Sequence, residues 1–290
     1  MLVNNGLSRS RYINITRETL GAYPCYSSVQ KEKKKCYPES AAFTITDTEM
    51  AINLQKLLDV TMIRLAEFLR TSLNALSAEE KANLRLISKW GMDGSSQDTF
   101  KPRFEDSTDS DSHVLQSYFV PLILVSRTGG KKITLWRNPA PSSPRFCRPI
   151  RFRFVKENEE TICEEHNHVQ NQIDSLENTV VPLCHGIITV KHELKLTMVG
   201  GKVCNYLTDT LYTLRCFMCK ATSSQFRNIS EMLNLEIDPE TLQFGMSVLH
   251  ARLRFLEFVL TLAYRIPAGT YPVKTAEHKA MFAAAQIGRA

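Results

Sequence analysis

The chain has 290 residues, 43% of them apolar and 23% charged, with a net charge of +6. Such a balance is ordinary for a soluble globular protein with one large core or two small ones. No apolar run approaches the roughly 20 residues of a membrane span, and MLVNNGLSRSRYINI lacks the continuous apolar core of a secretory signal, which makes an intracellular chain the expectation. The eight cysteines then read as free thiols or metal ligands rather than disulfides.

Residues 1–40 are polar and basic and close on VQKEKKKCYPES. Lys31, Lys33, Lys34 and Lys35 crowd together between Tyr26 and Tyr37. A solvated helix end explains such a run, and so does a phosphate-contacting or nuclear-import patch. From Asp47 to Leu76 the spacing of Ala51, Leu54, Leu57, Leu58, Met62, Leu65, Phe68 and Leu69 predicts an amphipathic helix. Asp47 or Thr48 is the expected cap at its start. Ser77 and Glu80 have the spacing of a capping box for a second helix start.

LRLISKWGMDGSS (84–96) organises the rest of the chain. Its apolar run predicts a buried strand that delivers Asp93 to the sheet end, with Gly94-Ser95-Ser96 letting other groups approach. An acid there is placed to hold a divalent metal; a strand followed by an Asp-Gly turn is the plainer reading. The polar stretch that follows, with Asp98, Glu105, Asp106, Asp109 and Asp111, reads as a surface loop.

SYFVPLILVS (117–126) and KKITLWRN (131–138) flank Gly129-Gly130 and predict a hairpin, with Pro121 at a bulge or an edge. The proline-rich PAPSSPRFCRP opens onto PIRFRFVKE, whose alternating Ile150, Phe152 and Phe154 predict a strand ending near Glu157. Arg145, Arg148, Arg151 and Arg153 join the lysines as candidate phosphate contacts. Residues 158–177 predict a polar helix with a thin stripe through Ile162, Val169, Ile173 and Leu176, stopped by Pro182. His166 and His168 fit its polar face better than a metal site. HGIITVKHELKLTMV and KVCNYLTDT, on either side of Gly200-Gly201, predict a second hairpin. Beyond the pair Cys216 and Cys219, VLHARLRFLEFVLTLAYRI predicts a strong helix striped by Leu249, Leu253, Leu256, Val259, Leu260 and Ala263. The elements together imply an α/β or α+β core around a mixed sheet.

WGMDGSS, RFCRPIRFRFVKE, LKLTMVGGKVCNYLTDT, CFMCKATSSQF and LHARLRFLEFVLTLAYR, in this order, resemble the Transib transposases. More distantly, they resemble the catalytic subunit of the recombination-activating recombinase. The YPCYSSVQKEKKKCYP arm is similar to the region before that family's catalytic domain, and the resemblance covers roughly residues 20–266. It implies a ribonuclease-H-like fold of the DDE type, in which three acids hold two Mg²⁺ or Mn²⁺ ions for phosphodiester cleavage and strand transfer. The implied organisation is a basic arm and helical pre-catalytic region (1–80), a catalytic core (81–214), and a CxxC and helical segment (215–290).

Asp93 matches the first acid of that family, and Glu157 falls in an acidic segment near its active site. The second acid position is occupied by Gly200, which has no side chain to ligate a metal. Cys216 and Cys219 match half of a structural zinc site. The two histidine ligands and the third acid belong to a region beyond the match, and from about Pro267 the family pattern is lost; His250 and His278 do not replace them. The resemblance therefore implies a truncated, inactive recombinase-like chain in the nucleus, with double-stranded DNA as partner and a homodimer as a further expectation. A domesticated, non-catalytic DNA- or protein-binding remnant is the alternative.

Overall fold

The computed structural model describes residues 8–19, 22–96, 112–210, 215–222, 224, 225, 228–244 and 248–265, with 276, 277 and 280. The acids between Asp98 and Asp111 lie outside the described residues, and so does His278. The chain is α+β, a mixed sheet flanked by helices. It divides into two compact units, Met1–Leu196 and Thr197–Ala290.

In the first unit, α1 (Arg9–Glu18) and α2 (Tyr26–Lys34) precede β1 (Phe43–Ile45) and β2 (Glu49–Ile52). Then come α3 (Leu54–Phe68), α4 (Arg70–Asn74), α5 (Ala78–Ala82), β3 (Leu84–Ser96), β4 (His113–Thr128) and β5 (Lys131–Arg137). β6 (Arg148–Arg153), α6 (Glu159–Asp174), β7 (Thr179–Leu183) and β8 (Gly186–Met198) complete it. The strands lie in the order β1-β2-β6-β4-β3-β8-β7, with β5 paired to β4. Strand alternation puts Leu84, Leu86, Ser88, Trp90 and Met92 of β3 on one buried side, and leaves Arg85, Ile87 and Lys89 partly exposed on the other. The buried side faces helices: the His166 ring of α6 stacks on Trp90 with centroids 5.9 Å apart. On β7, Thr179 donates to Asp59 of α3 at 2.6 Å.

The 117–138 hairpin forms as its residues imply, with Gly129 (φ 57°) and Gly130 (φ 78°) supplying the left-handed turn. Pro121 sits in a central strand, at a bulge. The β3–β4 register passes from Ile87↔Ile123 to Ser88↔Pro121 and leaves Leu122 unpaired on β3. Asn138 satisfies the carbonyls displaced there: its side chain donates to Pro121 O at 2.7 Å and its backbone N–H to Leu122 O at 2.8 Å. The capping box at Ser77 and Glu80 is present, and a second one joins Asn158 and Thr161 at the start of α6.

Three sequence expectations need correction. Asp47 and Thr48 do not cap a helix; they sit in the tight β1–β2 turn closed by Thr46 N–H to Glu49 O at 2.8 Å. Ala51 is therefore a strand residue, and Asn53, whose Oδ1 accepts from Lys56 N–H at 3.0 Å, is the cap. Pro182 does not stop α6, which ends at Asp174; it lies in β7, at the end of the strand order, opposite Ile187. An edge tolerates the missing N–H. Finally, Gly200-Gly201 is not a hairpin turn. β8 takes β7 as its antiparallel partner, and Gly200 is the N-cap of α7 (Gly201–Leu207), whose Val203 and Cys204 are buried.

The second unit holds α7, α8 (Ile229–Leu233) and α9 (Val248–Arg265). Phe217 and Phe244 meet edge to face at 6.2 Å. The predicted helix α9 forms, yet Leu253, Phe255, Leu256 and Phe258 are all more than half exposed.

Candidate functional site

Register places the acid predicted at the sheet end. Met92 pairs with Ser117, Asp93 with Gln116 and Gly94 with Leu115, and β3 runs on to Ser96. Asp93 is exposed, on the same side of the sheet as Lys89. Tyr118, opposite Gly91 on that side, has its phenol pushed up by burial and further by the charge of Asp93.

Glu157 follows β6 and reaches the same end of the sheet. A Cβ added to Gly94 would lie 2.5 Å from Glu157 Oε2 and 2.6 Å from its Cβ. Glu157 therefore fills the space that a side chain at position 94 would need, and only glycine permits this approach. Successive residues of a strand point to opposite faces. Gly94 shares its face with Trp90 and Met92, so Glu157 stands on the helix-covered side while Asp93 points to the other. The two carboxylates reach one sheet end from opposite faces of β3. Gly200, at the matched second-acid position, belongs to the second unit, as the N-cap of α7.

The helix-covered side also carries a charge network that the sequence did not announce. Arg151 is 8% exposed; its Nε and Nη2 donate to Glu49 at 2.9 and 2.8 Å, and its Nη1 donates to Glu165 at 3.2 Å. Ser117 donates to the other oxygen of Glu165 at 2.5 Å. Arg153 reaches Glu164 at 3.0 Å and Glu49 at 3.9 Å. Burial would lower the Arg151 guanidinium, but its hydrogen bonds to Glu49 and the charge of Glu165 outweigh that, and the net shift is upward. The hydrogen bond from Arg151 holds Glu49 below the usual carboxylate range. As a result Arg151 and Arg153, read from sequence as phosphate contacts, are engaged inside the fold. Arg148 is largely buried, which depresses its guanidinium, and Arg145 is exposed.

The lysine arm is solvent-facing. Lys31, Lys33, Lys34 and Lys35 are all exposed at the end of α2, with Lys35 paired to Glu32 at 2.7 Å. α1 packs beside α2: Tyr12 donates to Pro24 O at 2.8 Å and Arg9 lies 5.1 Å over the Tyr26 ring. At the N-cap of α2, the exposed Cys25 thiol is lowered to about 7 by hydrogen bonds from Ser27 and then Ser28.

Cys216 and Cys219 share one tight turn, closed by Lys220 N–H to Cys216 O at 2.8 Å and Cys216 N–H to Ala221 O at 2.9 Å. Among the described residues no group of three or more His, Cys, Asp or Glu is placed to hold a metal ion. No described helix is long and apolar enough to cross a membrane. His166 and His168 lie on α6 as expected, one stacked on Trp90 and the other bonded to Gln172 at 3.1 Å.

The approach expected at Gly94 is made by Glu157. Sequence reasoning missed Glu165 and a third cluster, His192–Thr179–Asp59. Thr179 donates to Asp59, so it accepts from His192 Nε2–H at 2.7 Å. His192 Nδ1 is buried with no partner among the described residues, and burial lowers this imidazole to about 4. A Thr and a His thirteen positions apart carry no sequence signature for that arrangement. Compared with known proteins, the chain matches no protein-family model and no curated protein.

Proposed function

We propose that the chain is a DNA-binding protein of the DDE-recombinase kind that holds double-stranded DNA without cutting it. The observation that carries this reading is the end of β3, where Asp93 is exposed and Glu157 is lodged against Gly94 on the opposite face. A strand-end acid is what a ribonuclease-H-like sheet uses first. Two-metal phosphoryl transfer also needs carboxylates converging on one pocket, with the ions roughly 4 Å apart. Carboxylates on opposite faces do not converge, and Gly200 offers no ligand. A Mg²⁺ or Mn²⁺ pair therefore does not fit the described residues.

What stays in place is charge for a polyanion. The exposed lysines of α2, with Arg145, suit phosphates by non-specific electrostatics. Nuclear location, self-association and a zinc ion completed by ligands outside the described residues belong to the same reading. Fluorescence anisotropy of the purified chain with a labelled 30-base-pair duplex tests it. Binding should weaken steeply with salt and hardly change with sequence. Affinity that is absent at low salt, or indifferent to salt, would sink the reading.

A further inference from the structure

The sheet of the first unit has a second charged surface, away from the lysine arm. α3 and α6 cover the side bearing Trp90, Ser117 and His192. Register shows what the other side carries. Arg85 pairs with Val125 across β3 and β4, and Arg127 pairs with Lys132 across β4 and β5. Two-residue steps along β3 and β4 put Arg85, Lys89, Arg127 and Lys132 on this one side. Arg85 donates to Glu193 of β8 at 2.7 Å, which brings Glu193 to the same side, and alternation along β8 adds Lys191 and Lys195. Along β8 burial agrees: Val190 and Leu196 are buried, whereas Lys191 and Lys195 are exposed, as are Arg127 and Lys132. Val120 and Val125, opposite Lys89 and Arg85, are buried, so the exposed charge on this side lies with Arg127, Lys132, Lys191 and Lys195.

Six cations thus lie across four adjacent strands, β5-β4-β3-β8, accompanied by the acids Glu193 and Asp93. Only Arg85 among the six is in an ion pair among the described residues. Three strand spacings make the band about 14 Å across.

We infer that the exposed cations on this side of the sheet form a second docking surface for the phosphate backbone of double-stranded DNA, independent of the α2 lysines. The inference rests on the DNA-binding reading above and names the surface that reading left out. Contacts spread over four strands position a duplex without reading its bases, so the expected binding is strong at low salt and indifferent to sequence.

Full-length Lys191→Gln/Lys195→Gln and Lys33→Ala/Lys34→Ala variants, titrated with the labelled duplex over a range of salt, test it. All four lysines are exposed, and circular dichroism checks the fold of each variant. The face variant should bind about tenfold more weakly near 0.1 M salt, with the slope of log K against log salt reduced by roughly two. The arm variant should lose a similar amount on its own, and the two losses should add. Lysine acetylation read by mass spectrometry gives a second measure: duplex DNA should protect Lys191 and Lys195 in the unmodified chain. Unchanged affinity and slope in the face variant, or unprotected Lys191 and Lys195 while DNA is bound, would overturn the inference and leave the DNA-binding reading standing. An unmodified chain that fails to bind the duplex would remove that reading, and this inference with it.

Discussion

At the junction of β2, β6 and α6, Arg151 is buried between Glu49 and Glu165, and Ser117 fills the remaining acceptor position of Glu165. Across the thickness of the sheet, Asp93 stands exposed beside Tyr118. Both sites put carboxylates at the same end of β3 and β4, yet they answer to different physics. A charge taken out of water is stable only when its partners saturate it, so the Arg151 network is closed upon itself and fixes how α6 and the β1–β2 hairpin join the sheet. An exposed charge stays hydrated and its interactions are screened, so it contributes little to the fold. Perturbing one should therefore cost stability, and perturbing the other should not.

The largest effect is expected from removing Arg151. Arg151→Ala strands Glu165, which is 1% exposed, and should destabilise the chain by about 3–5 kcal/mol in denaturant unfolding. A loss under ~1 kcal/mol would mean that water reaches the network.

Next in size is the pH response of His192. Its folded-state value of about 4 lies below the ordinary 6.5, so between these the unfolded chain binds more protons and stability rises with pH. Stability should be insensitive to this group above pH 6.5 and fall as pH drops toward 4, by roughly 3 kcal/mol in full. His192→Gln should flatten that part of the profile. A profile that keeps its slope in the variant would assign the loss to other groups.

Smaller still is the effect of adding one methyl group at position 94. Gly94→Ala should cost about 1–3 kcal/mol, because the new Cβ meets Glu157 at both its carboxylate and its Cβ. Glu157→Gly in the same chain should recover most of it, as a double-mutant cycle would show. Simple additivity would mean that Glu157 does not occupy that space. Last, Asp93→Asn should shift stability by under ~1 kcal/mol, because interactions of an exposed charge are screened by solvent.

Local patterns carried much of the fold into view. The alternation in Leu84–Met92, the Gly129-Gly130 turn and the Ser77–Glu80 capping box each depend on neighbours a few residues away, and each forms. Other features depend on distance in the chain. Glu49 meets Arg151 across 102 positions, and only the antiparallel pairing of β2 with β6 makes them partners. An arginine alternating with phenylalanine in PIRFRFV reads as a surface residue for just that reason. Gly200-Gly201 misled in a different way, since a Gly pair suits a helix N-cap as well as a turn, and β8 already had its partner in β7. At the candidate site, Asp93 was legible from the end of an apolar run. The face that Glu157 occupies was not, because it follows from how the chain after β6 returns over Gly94.

The most direct test of the central claim is incubation of the purified chain with supercoiled plasmid in Mg²⁺ and separately in Mn²⁺, followed by gel analysis, with Asp93→Ala in parallel. Carboxylates on opposite faces of β3 predict plasmid that is bound, seen as a mobility shift, but neither nicked nor joined, with both proteins alike. Nicking by the unmodified chain that disappears in Asp93→Ala would contradict this and show that Asp93 and further acids converge on metal after all.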